Sequence, residues 1–176
     1  TGAGRGIGAA TALMAAQKGY AVAVNYRSDK ASADKVVAEI EADGGRAIAV
    51  QADVVDEAAI VAMFETVDRE LGRVEVLVNN AGVVDQISRV DEMSFERVDR
   101  MMKINVVGPF ICAREAIKRM STKHGGKGGV IVNVGSAASH LGGAGEYIDY
   151  AASKGAIDVM TEGLSKEVAG EGIRVN

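Results

Sequence analysis

Apolar and polar positions along the chain fall into alternating long and short blocks. Over 8–18, Ile7, Ala10, Leu13 and Met14 share one side of a helical wheel, and Gly19 stops the run. The block 21–26, Ala-Val-Ala-Val-Asn-Tyr, is short and almost wholly apolar, as a buried strand requires. The same reading predicts helices over 29–42 and 56–71, and strands over 47–51 and 74–78. In the second half a long helical stretch, 95–120, is interrupted near Gly108-Pro109, because proline cannot continue the backbone ladder. A strand over 130–134, a glycine-rich loop over 139–147, a helix over 150–169 and a strand beginning at Ile173 complete the pattern. Strand and helix alternate throughout. That order predicts an α/β, Rossmann-like, doubly wound parallel sheet with helices on both faces, in one domain spanning 1–176.

Composition narrows the function classes. The formal net charge is -4, from 20 Lys plus Arg and 24 Asp plus Glu. This balance argues against a nucleic-acid binder, which needs clustered cations to neutralise phosphates. No apolar run approaches the roughly 18 residues that span a bilayer, so no membrane partner is expected. The single cysteine, Cys112, allows no internal disulfide and points to a reducing, cytoplasmic setting. Cys112 reads as a core thiol on the apolar side of a helix, and no His/Cys/Asp/Glu spacing suggests a metal. His124 and His140 read as loop residues.

Two segments carry candidate chemistry. Gly2, Gly4, Gly6 and Gly8 stand around Arg5 and Ile7 at the start of the first helix. Backbone without Cβ atoms can approach a phosphate there, and the helix offers free N–H groups and its positive dipole end. The Gly-Lys-Ser/Thr of a nucleotide-hydrolysing P-loop is absent. Tyr150 and Lys154 are four residues apart and so lie on one helix face. A phenol titrates near about 10 and is a poor acid or base at neutral pH. A neighbouring ammonium favours the phenolate and makes the pair a workable general acid/base. Tyr147 lacks such a partner, since the residue four further on is Ala151.

Taken together, Thr1-Gly2-x-x-x-Gly6-x-Gly8, Asn79-Asn80-Ala81-Gly82, Ser136 and Tyr150-x-x-x-Lys154 resemble the short-chain dehydrogenase/reductase family, over nearly the whole chain. The wording is similar to its 3-oxoacyl-carrier-protein reductase and glucose dehydrogenase branches. The resemblance implies an oxidoreductase moving hydride between a nicotinamide cofactor and a carbonyl or secondary alcohol of a small molecule. It implies that Ser136 holds the substrate oxygen, Tyr150 exchanges the proton, and Lys154 tunes the tyrosine and reaches the nicotinamide ribose. Asn105 matches the residue implied to hold a relay water. Ser136 stands one position further from Tyr150 than is usual in the family, and Ser139 is its rival. Asp53 and Val54 match the adenine-contacting turn, and Asn79, Ala81 and Gly82 the turn that stabilises the sheet and lines the ribose.

The second strand ends Asn25-Tyr26-Arg27-Ser28 with no acid before Asp29 to bond a ribose 2′-hydroxyl. Arg5 and Arg27 suit a 2′-phosphate as charge-assisted donors, so NADP is expected over NAD. The resemblance also implies a homodimer or homotetramer packed through 95–120 and 150–169, with Ala151, Ala152, Gly155 and Ala156 permitting close approach. Family members have a strand before the glycine loop and a substrate lid after the last strand. The expectation is therefore a fragment, truncated at both ends. Two rivals stand beside this reading: a catalytically silent cofactor-binding sensor or scaffold, and a sugar epimerase or dehydratase, which the Asn-Asn-Ala-Gly turn disfavours.

Overall fold

The computed structural model describes residues 1–176, which divide into two compact units, Thr1–Val74 and Glu75–Asn176. In the first, α1 (Gly6–Gln17), β1 (Val22–Tyr26), α2 (Lys30–Ala42), β2 (Ala47–Gln51) and α3 (Glu57–Glu70) follow in order. Asp29 begins α2 by accepting the Ser32 N–H at 3.0 Å, and Asp56 begins α3 by accepting that of Ala59 at 3.2 Å. Each satisfies an orphan donor of the first turn, worth about 1 kcal/mol. β1 and β2 pair in parallel from Val22 opposite Ala47 to Tyr26 opposite Gln51. Val24, Ala33, Val36 and Ile40 are buried together with Ala12 and Ala47 in the core of this unit. Burying a side chain of the Val or Ile kind is worth roughly 1.5–3 kcal/mol.

The second unit contains β3 (Val76–Asn79), α4 (Phe95–Met102), a π-helical segment Lys103–Val107, α5 (Gly108–Met120), β4 (Gly129–Asn133), α6 (Ala138–Leu141), α7 (Ile148–Glu167) and β5 (Ile173–Val175). Its strands are β-branched and parallel, in the order β3-β4-β5, with Asn79 opposite Asn133 and Ile131 opposite Val175. Met101, Cys112, Ala116, Met120, Ile131 and Met160 fill the interior. Every strand pair in both units is parallel, and every connection between paired strands carries a helix, the Rossmann-like α/β pattern. No helix is long and apolar enough to cross a membrane.

The interruption expected near Gly108-Pro109 is a π-helical segment, Lys103–Val107, directly before it; the backbone stays helical through Val107 and Gly108 into α5. One expectation is corrected. The glycine-rich loop contains one helical turn, Ala138–Leu141, and α7 begins at Ile148, two residues ahead of Tyr150.

Candidate active site

In the first unit the glycine loop is folded against Asn25. Gly2 N–H donates to Asn25 Oδ1 at 3.0 Å and Ala3 N–H to the Asn25 carbonyl at 2.8 Å. The Asn25 amide donates in turn to the carbonyls of Val50 at 3.3 Å and Ala52 at 3.0 Å, so one buried side chain locks the loop to the end of β2. Gly2 and Gly6 have φ of 61° and 56°, the left-handed region that glycine adopts without strain. Arg5 stands at the N-cap of α1 without a side-chain cap, and the first turn carries no acid. The leading N–H groups of α1 are thus left for an external acceptor, with Gly4 partly buried beside them and Gly8 buried.

Arg5, Ile7 and Arg27 are exposed in this unit. Asp29 is committed to the start of α2: the Ser32 hydroxyl and N–H, helped by the Arg5 charge, hold its carboxyl below the usual range. Asp53 Oδ1 accepts the Val55 N–H at 3.2 Å, forming the turn after β2 in which Val54 is buried.

In the second unit the chemistry gathers at the carboxyl ends of β3 and β4. Asn79 donates to Asn133 Oδ1 at 2.9 Å, and Asn133 to Thr161 Oγ1 at 2.9 Å, binding both strand ends to α7. The turn Asn80-Ala81-Gly82 leads to Val83, whose N–H and carbonyl both pair with the Asn105 side chain at 2.8 Å. A Cβ on Gly82 would stand 3.4 Å from Asn105 Oδ1, so the turn closes tightly over that amide. Asn105 lies inside the π-helical segment, fully buried, and also donates to Ser153 Oγ at 3.1 Å. Its carbonyl stands four residues before Pro109, which has no N–H to offer it.

α7 presents Tyr150 and Lys154 on one face, as their spacing predicts, with the Lys154 ammonium 5.8 Å from the Tyr150 ring centre. Lys154 Nζ donates to the Val134 carbonyl at 2.6 Å. Burial pushes its pKa below the ordinary lysine value, and Asp158 partly opposes that shift. Ser136 lies two residues beyond Val134; its oxygen accepts the Ala138 N–H at 3.2 Å, leaving its own proton to give. The rival Ser139 spends its proton on the Ser136 carbonyl at 2.8 Å. Tyr147 stacks edge-on against Tyr150 at 6.1 Å. Hydrogen bonding to Glu146 raises the Tyr147 pKa and keeps that phenol protonated.

Asn79, Gly82, Asn105, Ser136, Tyr150 and Lys154 therefore belong to one unit, whereas the glycine loop, Arg27, Asp53 and Val54 belong to the other. Asn25, Ser153 and the Arg97–Asp149 pair escape the sequence reading. Asn25 left a signal, a polar residue inside a buried apolar strand, which must find partners. Arg97 and Asp149 left none, because separated charges in sequence do not announce an ion pair.

Comparison with known proteins shows the family and the fold. The short chain dehydrogenase family model matches residues 1–176. The chain is 54% identical over 176 residues to the uncharacterized oxidoreductase YgfF of Escherichia coli (strain K12), covering all of this chain and 71% of that protein. It is 39% identical to a 3-oxoacyl-[acyl-carrier-protein] reductase of Synechocystis, covering all of this chain and 69% of the relative. A crystal structure of a dehydrogenase/reductase from Sinorhizobium meliloti 1021 superposes with a TM-score of 0.92 at 35% identity, covering 99% of this chain and 67% of that one.

Proposed function

Since the chain belongs to the short-chain dehydrogenase family of oxidoreductases, we propose that it reduces a carbonyl, or oxidises a secondary alcohol, of a small molecule with NADP(H). The observation that carries this reading is Tyr150 and Lys154 on one face of α7, with Lys154 bonded to the strand end that leads to Ser136. The free leading turn of α1 and the Gly2 and Gly6 conformations fit a pyrophosphate. Gly2, Gly4, Gly6, Ile7 and Gly8 would line it, Arg5 and Arg27 would hold a 2′-phosphate, and Asp53 and Val54 would meet the adenine. Asn79, Ala81 and Gly82 would border the ribose, with Lys154 on its hydroxyls. When bound, the nicotinamide supplies hydride at C4 in reduction or accepts it in oxidation.

In reduction, Ser136 donates its hydroxyl hydrogen to the carbonyl oxygen and stabilises the negative charge growing there. Tyr150 gives its phenolic proton to the same oxygen. Lys154, an ammonium beside the ring, stabilises the resulting phenolate. The Asn105 side chain is fully engaged with Val83 and Ser153, so its role in returning a proton falls to its backbone carbonyl. In oxidation each step runs backward.

A dimer through α4–α5 and α7 is part of the same proposal. Phe95 is 78% and Val159 71% exposed on these helices, with Phe110 also outward. Ala152 is exposed as such packing needs, whereas Ala151, at 4%, is interior and takes no part. The proposal is tested by initial rates with NADPH and NADH over a panel of diketones, aldehydes and sugars, using the full-length protein. Faster NADPH oxidation is expected. A preference for NADH overturns the cofactor assignment, and turnover of no substrate with either overturns the enzyme assignment in favour of a sensor.

A further inference from the structure

We propose that the Arg97–Asp149 ion pair is a positioning device for Tyr150, holding the first turn of α7 in the orientation proton transfer requires. The inference rests on the reading of Tyr150 as the acid/base. Asp149 directly precedes Tyr150, and its side chain is only 1% exposed; that of Arg97, on α4, is 13% exposed. Arg97 grips the carboxylate with two prongs, Nε to Oδ2 at 2.8 Å and Nη2 to Oδ1 at 3.2 Å. Its third nitrogen, Nη1, donates to the Gln86 carbonyl at 2.8 Å. One guanidinium thus fastens α4, the segment after β3 and the start of α7. Ser88 N–H donates to the Glu146 carbonyl at 2.8 Å and ties the same two segments again.

Both peptide groups of Tyr150 are reached by this framework. Its N–H donates to Asp149 Oδ1 at 2.9 Å, and that carboxylate is held by Arg97. Its carbonyl accepts the Ser153 hydroxyl at 2.7 Å, and Ser153 is held by Asn105. Arg97 and Asn105 stand in α4 and the π-helical segment that continues it, so one continuous helical stretch holds Tyr150 from both sides. Stability alone does not require such a pair. Taking two charges from water costs about what their attraction returns, and apolar side chains of similar size usually serve as well. What the fork adds is direction: a planar, two-pronged contact fixes distance and angle together.

The test replaces the pair by apolar residues in the full-length protein. Melting temperature, NADPH affinity by nucleotide fluorescence, and kcat with a carbonyl compound that the wild type reduces are then measured. The variant Arg97→Met/Asp149→Leu is expected to melt no lower than wild type and bind NADPH within about twofold, with kcat down about 10- to 100-fold. Wild-type kcat in the folded variant overturns the proposal, as does a loss of kcat matched by an equal loss of NADPH affinity. Should that variant not fold, Arg97→Lys keeps the charge without the fork. It is expected to lose about tenfold in kcat at unchanged NADPH affinity, and wild-type kcat there overturns the proposal equally. Tyr150→Phe is assayed alongside. If it retains wild-type kcat, the acid/base reading has failed; if it is inactive while the pair variants are not, only the positioning role has.

Discussion

The ammonium of Lys154 donates to the carbonyl of Val134 at 2.6 Å. A side chain of α7 is thereby bonded to the chain leaving β4, two residues before Ser136. The bond sets Tyr150, one helical turn away from Lys154, and Ser136 in a common frame, and places a buried cation 5.8 Å from the Tyr150 ring centre.

Removing that cation predicts a loss of turnover. Lys154→Met should lower kcat by about 10²- to 10⁴-fold. Steady-state rates of both proteins check it, and wild-type kcat in the folded variant excludes a part for Lys154 in the proton transfer.

Arg5 and Arg27 should act on cofactor choice and not on chemistry. Each charge-assisted hydrogen bond to a phosphate is worth about 1.5–3 kcal/mol, roughly 10- to 100-fold in affinity. Arg5→Ala and Arg27→Ala should each raise KM for NADPH by about that factor and leave NADH kinetics within about twofold.

Cys112 is fully buried, and burial pushes its thiol up to about 11. The thiolate is the reactive form, so native protein should resist iodoacetamide at neutral pH and become labelled on unfolding. Mass spectrometry of the Cys112 peptide decides this, with native labelling as the contrary result.

Asp149 predicts an acid-side loss of stability. Burial opposes its ionisation, but hydrogen bonds from Arg97 and from the Tyr150 N–H outweigh that and hold the carboxyl below the ordinary value of 3.8. A carboxyl lowered by folding contributes stability that is complete above its unfolded pKa and disappears as pH falls through the folded one. Urea midpoints should therefore drop for wild type below about pH 4. Asp149→Asn should begin lower at neutral pH and change less over that interval.

Much of this molecule was readable from residue order. The alternation of Val/Ile-rich runs with amphipathic stretches predicts every strand and the parallel pairing of the sheets, since strand interiors have no other use for such runs. The four-residue step from Tyr150 to Lys154 predicts their shared face for the same local reason. Interactions across long sequence separation were not readable. The interruption itself was legible from Pro109, which has no N–H for the Asn105 carbonyl four residues back, but the pinning of the Asn105 amide to Val83 and Ser153, 22 and 48 residues away, was not. Arg97 and Asp149 look like two surface charges until folding buries them against each other. The small residues of α7 proposed to meet a second chain can be seen in sequence, but only the fold shows that Ala151 is buried and Ala152 exposed.

The central claim is that Tyr150 exchanges the substrate proton. Its most direct test is NADPH oxidation by wild type and Tyr150→Phe, side by side, with a carbonyl compound that the full-length wild type reduces. The account predicts a fall in kcat of at least about 10²-fold, with melting temperature and NADPH affinity unchanged. Equal turnover by the phenylalanine variant would contradict it.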